Sequence, residues 1–280
     1  MKAIVQDTYG TADALEFRDV PEPAVGENEV RIHVKAAGAG PDVWHLMTGL
    51  PYFARVMPGF RKILHQPRGR DVAGVVESVG ASVSGLSPGD EVMGIAEGSF
   101  AELAVGTAEL LVRKPSRLSF EEAAAAPISG ITAVQAVRDV AKVKPGQRVL
   151  VIGAGGGTGT LIVQVAKAFG ARVTGVASTS KLELVRSIGA DEVIDYTRDE
   201  LAGQWDVVID TAGRRPSARC VASSRRPARW GSSAARVAGD GPPGSSVRSS
   251  VRRSCRCSRD SGCARSSRRR RARTCARSSI

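Results

Sequence analysis

Cysteine is missing from the first 213 residues of this 280-residue chain; all five (Cys220, Cys255, Cys257, Cys263 and Cys275) come later. A disulfide framework therefore does not hold the larger part of the molecule together. Histidine is scarce, limited to His33, His45 and His65, and aromatics make up only 4% of the residues. No apolar run reaches the roughly 20 residues that span a bilayer. The opening MKAIVQDTYG lacks the apolar stretch and small-residue cleavage site of a secretory leader, so a cytoplasmic protein is expected. Fixed-period repeats are absent as well.

Lysine is missing from the other end. After residue 213 the chain carries 19 arginines, no lysine and two acidic residues, out of 40 basic and 28 acidic groups in all. The first 213 residues keep 21 basic and 26 acidic groups, so the formal charge of +12 belongs to the tail and the body is mildly acidic. A run such as RSSRRRRARTCARSS ordinarily suggests nucleic acid. Base stacking needs aromatic partners, however, and Trp230 is the only one in the tail.

What the body does contain is a change of period. Residues 1–120 hold short alternating or apolar runs (KAIVQ, EVRIHVKAA, DVAGVVESVG, DEVMGIA, FAELAVG) broken by Gly and Pro, the pattern of a small twisted β-barrel. Ser119 precedes Glu122 by three residues, the capping-box spacing, ahead of an Ala-rich helical stretch. Strand and helix then alternate with short links from QRVLVIGA to WDVVIDTAG, as in a parallel sheet with crossover helices. At Arg214 the alternation stops, and residues 214–280 show no apolar periodicity.

The stretch VLVIGAGGGTGT joins a β-branched strand ending at Ile152 to an amphipathic helix expected to begin near Thr160. Gly153, Gly156 and Gly159 recur every third residue, with Gly157 beside them. Missing side chains let the backbone turn tightly and approach a pyrophosphate, which a helix N-terminus then holds. A glycine-rich loop alone is a weak signal; strand, loop, helix and second strand at this spacing make dinucleotide binding the stronger reading over a plain turn. An NAD site usually carries Asp or Glu at the end of the second strand. Here Ala177 and Ser178 occupy that place and Lys181 follows, which suits a 2′-phosphate and favours NADPH over NADH. The plainer alternative makes Lys181 a solvated residue at a helix start.

In this order the chain resembles the medium-chain dehydrogenase/reductase superfamily, and within it the zinc-independent quinone oxidoreductase and enoyl-reductase-like branch. The matching stretches are AAGAGPDVWHLMTG, GRDVAGVVESVG, PGDEVMG, GSFAEL, AAAAPISGITA, VLVIGAGGGTGT, IGADEVIDY and DVVIDTAG, covering residues 1–213 almost continuously. The resemblance implies an α/β protein: a GroES-like twisted β-barrel over residues 1–120 as substrate domain, an incomplete Rossmann-type doubly wound parallel sheet over 121–213, and an irregular or disordered tail over 214–280. Zinc-dependent relatives place Cys where this chain has Gly40 and Gly-His-Glu where it has Gly69, Arg70 and Asp71. Neither Gly nor Arg is a usual zinc ligand, so no metal is expected, and no cysteine in the body supplies a four-cysteine lobe.

By resemblance Thr132 lies near the nicotinamide ribose, Gly156, Gly157, Thr158 and Gly159 line the pyrophosphate, and Ser178, Lys181 and Tyr196 face the 2′-phosphate; Tyr196 packing at a strand end is the alternative. Trp44, His45 and Tyr52 fall at the substrate side. His45 or Tyr52 is a candidate proton donor, or else only shapes the pocket. His33 and His65 have no partner motif and read as ordinary residues, and the Arg70–Asp71 step reads as structural. The activity implied is NADPH-dependent hydride transfer to a quinone, enone or related carbonyl compound, in a protein with no membrane partner whose family forms homodimers. The competing reading is a non-catalytic nucleotide-binding remnant, or an RNA-binding protein acting through its tail.

Three accounts of residues 214–280 compete: a basic nucleic-acid arm, a metal site built from its cysteines, and translation out of frame. The cysteine spacing matches no common zinc module. Serine codons of the TCN type, read one base earlier, become codons for Phe, Leu, Ile or Val. RWGSSAARVAGDG then reads back as an apolar strand followed by a glycine-rich turn, which favours the frameshift. A chain so altered is expected to expose a sheet edge, to be poorly stable and to have little activity.

Overall fold

The computed structural model describes residues 1–50, 68–201, 203–212 and 229–232. The chain divides into two compact units, Met1–Val237 and Ala238–Ile280, and every described residue lies in the first. Tyr52, His65 and most of the tail, including Cys220, Cys255, Cys257, Cys263 and Cys275, fall outside the described residues.

The N-terminal half follows the period-two pattern. A hairpin of β1 (Lys2–Gln6) and β2 (Leu15–Asp19) leads to β3 (Glu29–Gly38), helix α1 (Pro41–Thr48), β4 (Asp71–Val79), β5 (Glu91–Ile95), β6 (Leu103–Thr107) and β7 (Leu111–Arg113). The last five strands form one antiparallel sheet in the order β6-β3-β4-β5-β7. Just beyond β5, Glu97 pairs with Val105 of β6, curling the sheet back on itself. Val30, Ile32, Val72, Val76, Val92 and Leu111 fill the interior, while the alternate residues Arg31 and His33 point outward.

Helix α2 (Phe120–Ala124) begins at the predicted capping box: Glu122 N–H donates to Ser119 Oγ, and Ser119 N–H donates to a Glu122 carboxylate oxygen. The Ala-rich stretch does not continue as one helix. Pro127 cannot join an ongoing hydrogen-bond ladder, and it opens a separate helix, α3 (Pro127–Val134), which runs into a π-helical turn over Gln135–Val140.

A second sheet follows, made of β8 (Arg148–Ile152), β9 (Arg172–Ala177), β10 (Glu192–Asp195), β11 (Val207–Asp210) and β12 (Arg229–Ser232), with α4 (Gly157–Ala168) and α5 (Leu182–Ser187) as the first two crossovers. All strands are parallel, in the order β10-β9-β8-β11-β12. Val149 and Val151 pack with Ile162, Val163 and Ala166 of α4 on one face, and Leu150 and Ile152 pack with Val176, Val208 and Trp205 on the other. Both faces of β8 are buried, which explains its continuous apolar sequence.

Two expectations are corrected here. The helix after the phosphate loop starts at Gly157 rather than near Thr160, because the first turn of a helix needs no side chains to form. Within the segment that shows no apolar periodicity, Arg229–Ser232 pairs with Val207–Asp210, so β11 is not the edge of the sheet. Main-chain hydrogen bonding at a sheet edge requires no particular side-chain pattern.

Candidate active site

The strand order reverses between β8 and β11, and in open parallel sheets ligands bind at the carboxyl ends beside such a reversal. A cleft of about 470 Å³ opens there, lined by Ile152, Gly153, Gly155 and Gly156 after β8, Val176, Ala177, Ser178 and Lys181 after β9, Tyr196 after β10, and Thr211 and Ala212 after β11. A larger hollow, about 630 Å³, lies at the opposite end of the sheet. Its arginines, Arg148, Arg172 and Arg186, face Asp206, Glu192 and Glu183, so its charges are already balanced.

Glycine geometry shapes the cleft. Gly153 turns with φ of 81°, and Gly159 brings α4 so close that a Cβ there would fall 2.0 Å from the Gly153 carbonyl oxygen. On the neighbouring side an added Cβ on Gly155 would fall 2.8 Å from the Cβ of Lys181, which seats the lysine against the loop. Thr211 Oγ1 donates to the Ile152 carbonyl at 2.9 Å and ties the end of β11 to the loop. The result is a backbone-lined floor at the N-terminus of a 12-residue helix, where N–H groups and the helix dipole favour an anion.

Of the residues singled out from sequence, Gly153, Gly156, Ser178, Lys181 and Tyr196 come together in this cleft. Tyr196 is half exposed at the end of β10. Gly157 and Thr158 form the first turn of α4, and Thr158 Oγ1 lies 3.5 Å from Ser129 Oγ of α3. Thr132 is buried in α3, donates its hydroxyl to the Ile128 carbonyl at 2.9 Å, and does not line the cleft.

The substrate-side residues lie elsewhere. Trp44 and His45 occupy α1, both exposed and edge-to-face with ring centres 5.0 Å apart. His45 Nδ1 is 2.8 Å from the Leu50 carbonyl oxygen. A carbonyl only accepts, so Nδ1 carries the proton and, in the neutral ring, Nε2 does not. Gln6 Nε2 donates to the Met47 carbonyl at 2.7 Å, anchoring α1 to the end of β1.

Asp71, read from sequence as structural, holds a structural position that spans the chain. It is 6% exposed, and its Oδ1 accepts from Ile128 N–H at 2.9 Å. Helix α3 has no side-chain cap of its own, so a carboxylate from β4 caps it across 57 residues of chain. Burial pushes the Asp71 carboxyl up to about 6; the Ile128 hydrogen bond opposes this, the charge of Asp42 adds to it, and Arg70 opposes it. Arg70 itself faces Glu97 at 3.9 Å.

This combination, an antiparallel barrel followed by a parallel sheet with a glycine-floored cleft at its switch point, defines a class of dinucleotide-dependent oxidoreductases. The family described as "Alcohol dehydrogenase GroES-like domain" matches residues 26–116, and that described as "Zinc-binding dehydrogenase" matches residues 157–255. The second match runs past Gly213, where the strand–helix alternation ends. The 2-methylene-furan-3-one reductase of Solanum lycopersicum is 40% identical over 76% of this chain and 58% of its own length. The chloroplast envelope quinone oxidoreductase homolog of Arabidopsis thaliana is 35% identical over 77% of the chain and 69% of its own. Among solved structures, the Escherichia coli quinone oxidoreductase complexed with NADPH superposes with a TM-score of 0.72 at 26% identity, over 86% of this chain and 76% of that one. The chain belongs to the medium-chain dehydrogenase/reductase superfamily and spans little more than half the length of the first of these relatives. No helix among the described residues is long and apolar enough to cross a membrane.

Proposed function

We propose that the chain is an NADPH-dependent, zinc-free reductase of a quinone, enone or related carbonyl compound. The observation that carries the reading is the rim of the cleft: Ser178, Lys181 and Tyr196 stand at the carboxyl ends of β9 and β10, and the small Ala177 replaces the acid that would hold ribose hydroxyls. Cation, hydroxyl and phenol together suit a 2′-phosphate, which a carboxylate would repel. The loop from Gly153 to Gly159 holds the pyrophosphate through main-chain N–H groups. Bound there, a reduced nicotinamide supplies a hydride to an electron-poor carbon. Ser129 of α3 lies beside Thr158 in the first turn of α4, and we assign Thr132 to the nicotinamide ribose and Trp44 and His45 to the acceptor side. Solvent delivers the proton.

The donor set supports a zinc-free reading. Gly40 offers no side chain, Arg70 is cationic, and Asp71 is committed to the α3 cap. We keep residue 120 as the division between substrate and cofactor domains, with β12 of the cofactor sheet lying past residue 213, and a cytoplasmic setting. Residues 214–280 we read as translated out of frame, which the DNA around codons 210–216 decides directly. Fluorescence titration of the full chain with NADPH and NADH tests the cofactor assignment. NADPH should bind more tightly, and Lys181→Ala should weaken it by about tenfold while leaving NADH unchanged. Tighter binding of NADH would overturn the assignment.

A further inference from the structure

Asp195 closes β10 directly opposite Ala177, the last residue of β9. It is 5% exposed, and its carboxylate does not face the cleft. Instead it gathers hydroxyls from both sides. Thr179 Oγ1 donates to Oδ2, and Thr197 donates to Oδ1 twice, through Oγ1 at 2.6 Å and N–H at 2.9 Å. The two threonine hydroxyls are themselves 3.2 Å apart. Tyr196 N–H bonds the Ala177 carbonyl at 3.2 Å, completing a stitch between the two strand ends.

Each stitched segment carries part of the cleft rim. Thr179 lies in the 3-10 turn Thr179–Lys181, whose last residue is Lys181, and Thr197 follows Tyr196. We infer that Asp195, acting through Thr179 and Thr197, is a positioning residue that sets cofactor choice by aligning Lys181 and Tyr196 on a 2′-phosphate. The inference rests on the NADPH reading of the same cleft. An acid so near a phosphate site would ordinarily favour the unphosphorylated cofactor. Here hydroxyl donors turn the carboxylate inward and hold its pKa below the usual range, first through Thr179 and then Thr197, with Arg198 adding a nearby cation at 3.9 Å. The negative charge becomes a fastening for the turn.

The test compares Kd values of NADPH and NADH for the full chain carrying Thr179→Val, Thr179→Ser or no change. Valine keeps the shape and loses the donor, so NADPH should weaken by about tenfold while NADH stays within about twofold. Serine restores the donor and should restore the NADPH preference. Thermal melting of each variant separates local realignment from unfolding. A parent that prefers NADPH, with a Val variant whose two Kd values keep their ratio, overturns the inference alone. A parent with no NADPH preference overturns the cofactor reading and leaves the clasp with nothing to align.

Discussion

The rim of the parallel sheet and the α1 segment of the barrel serve one proposed reaction but are built on opposite plans. The rim is made of backbone: four strand ends converge, and glycines bring main chain within contact of main chain. The α1 segment presents exposed aromatic side chains on a short helix whose neighbours include Leu50 and the end of β1. Backbone sites tolerate little variation, because a Cβ cannot rotate out of the way, whereas side-chain sites can repack. Gly159→Ala therefore carries the largest expected effect. Its Cβ would meet a carbonyl oxygen at 2.0 Å, forcing α4 off β8. Urea unfolding should show a loss of about 3 kcal/mol or more, with NADPH binding abolished. A variant as stable as the parent would remove the distinction between the two plans.

Asp71 joins the two halves, and its effect comes next. The folded carboxyl titrates at about 6 rather than 3.8, so the folded state binds its proton more tightly than the unfolded chain does. The stability this group contributes is full below about pH 3.8 and is lost as pH rises through about 6, a swing of about 3 kcal/mol. Asp71→Asn removes the buried charge and keeps an oxygen for Ile128 N–H. It should exceed the parent in urea resistance by about 2 kcal/mol at pH 8 and match it near pH 4. Equal curves at both pH values would show that burial does not strain the carboxylate.

Ser119→Ala probes the link between the halves with a smaller expected cost. The reciprocal bonds between Ser119 and Glu122 begin α2, whose Ala123 and Ala124 pack against Ala73 of the barrel. Losing the hydroxyl should cost about 1 kcal/mol in thermal or urea unfolding. The NADPH Kd should not move, since the cap lies outside the cleft. A cofactor effect from this change would mean that the barrel governs the nucleotide site more closely than a linker helix allows.

How much of this was legible beforehand follows from the range of each interaction. The capping box and the loop from Gly153 to Gly159 are local requirements, written within a few residues, and the structure places both where the spacing does. Ser178, Lys181 and Tyr196 were grouped on the 2′-phosphate by resemblance, and their meeting in the cleft depends on β9 pairing with β10. Asp71 and Asp195 act through partners 57 and 16 residues away, which no periodicity records. Strand β12 was hidden because an edge strand needs only main-chain groups, and the arginine-rich composition around it carries no apolar alternation.

The smallest expected effect is at His45, where the contrast between the two plans is sharpest. A general acid contributes about 10²- to 10⁴-fold to a rate, so a proton-donating His45 would announce itself. Its Nδ1–H is already given to the Leu50 carbonyl, which leaves the neutral ring with no proton at Nε2. His45→Gln should therefore change kcat for a quinone or enone by less than about threefold, with no new inflection in its pH profile. A hundredfold fall with the NADPH Kd unchanged would make α1 part of the chemistry, and the solvent route for the proton would have to be abandoned. A change confined to KM would leave His45 as a wall of the acceptor pocket, the role its edge-to-face contact with Trp44 already suits.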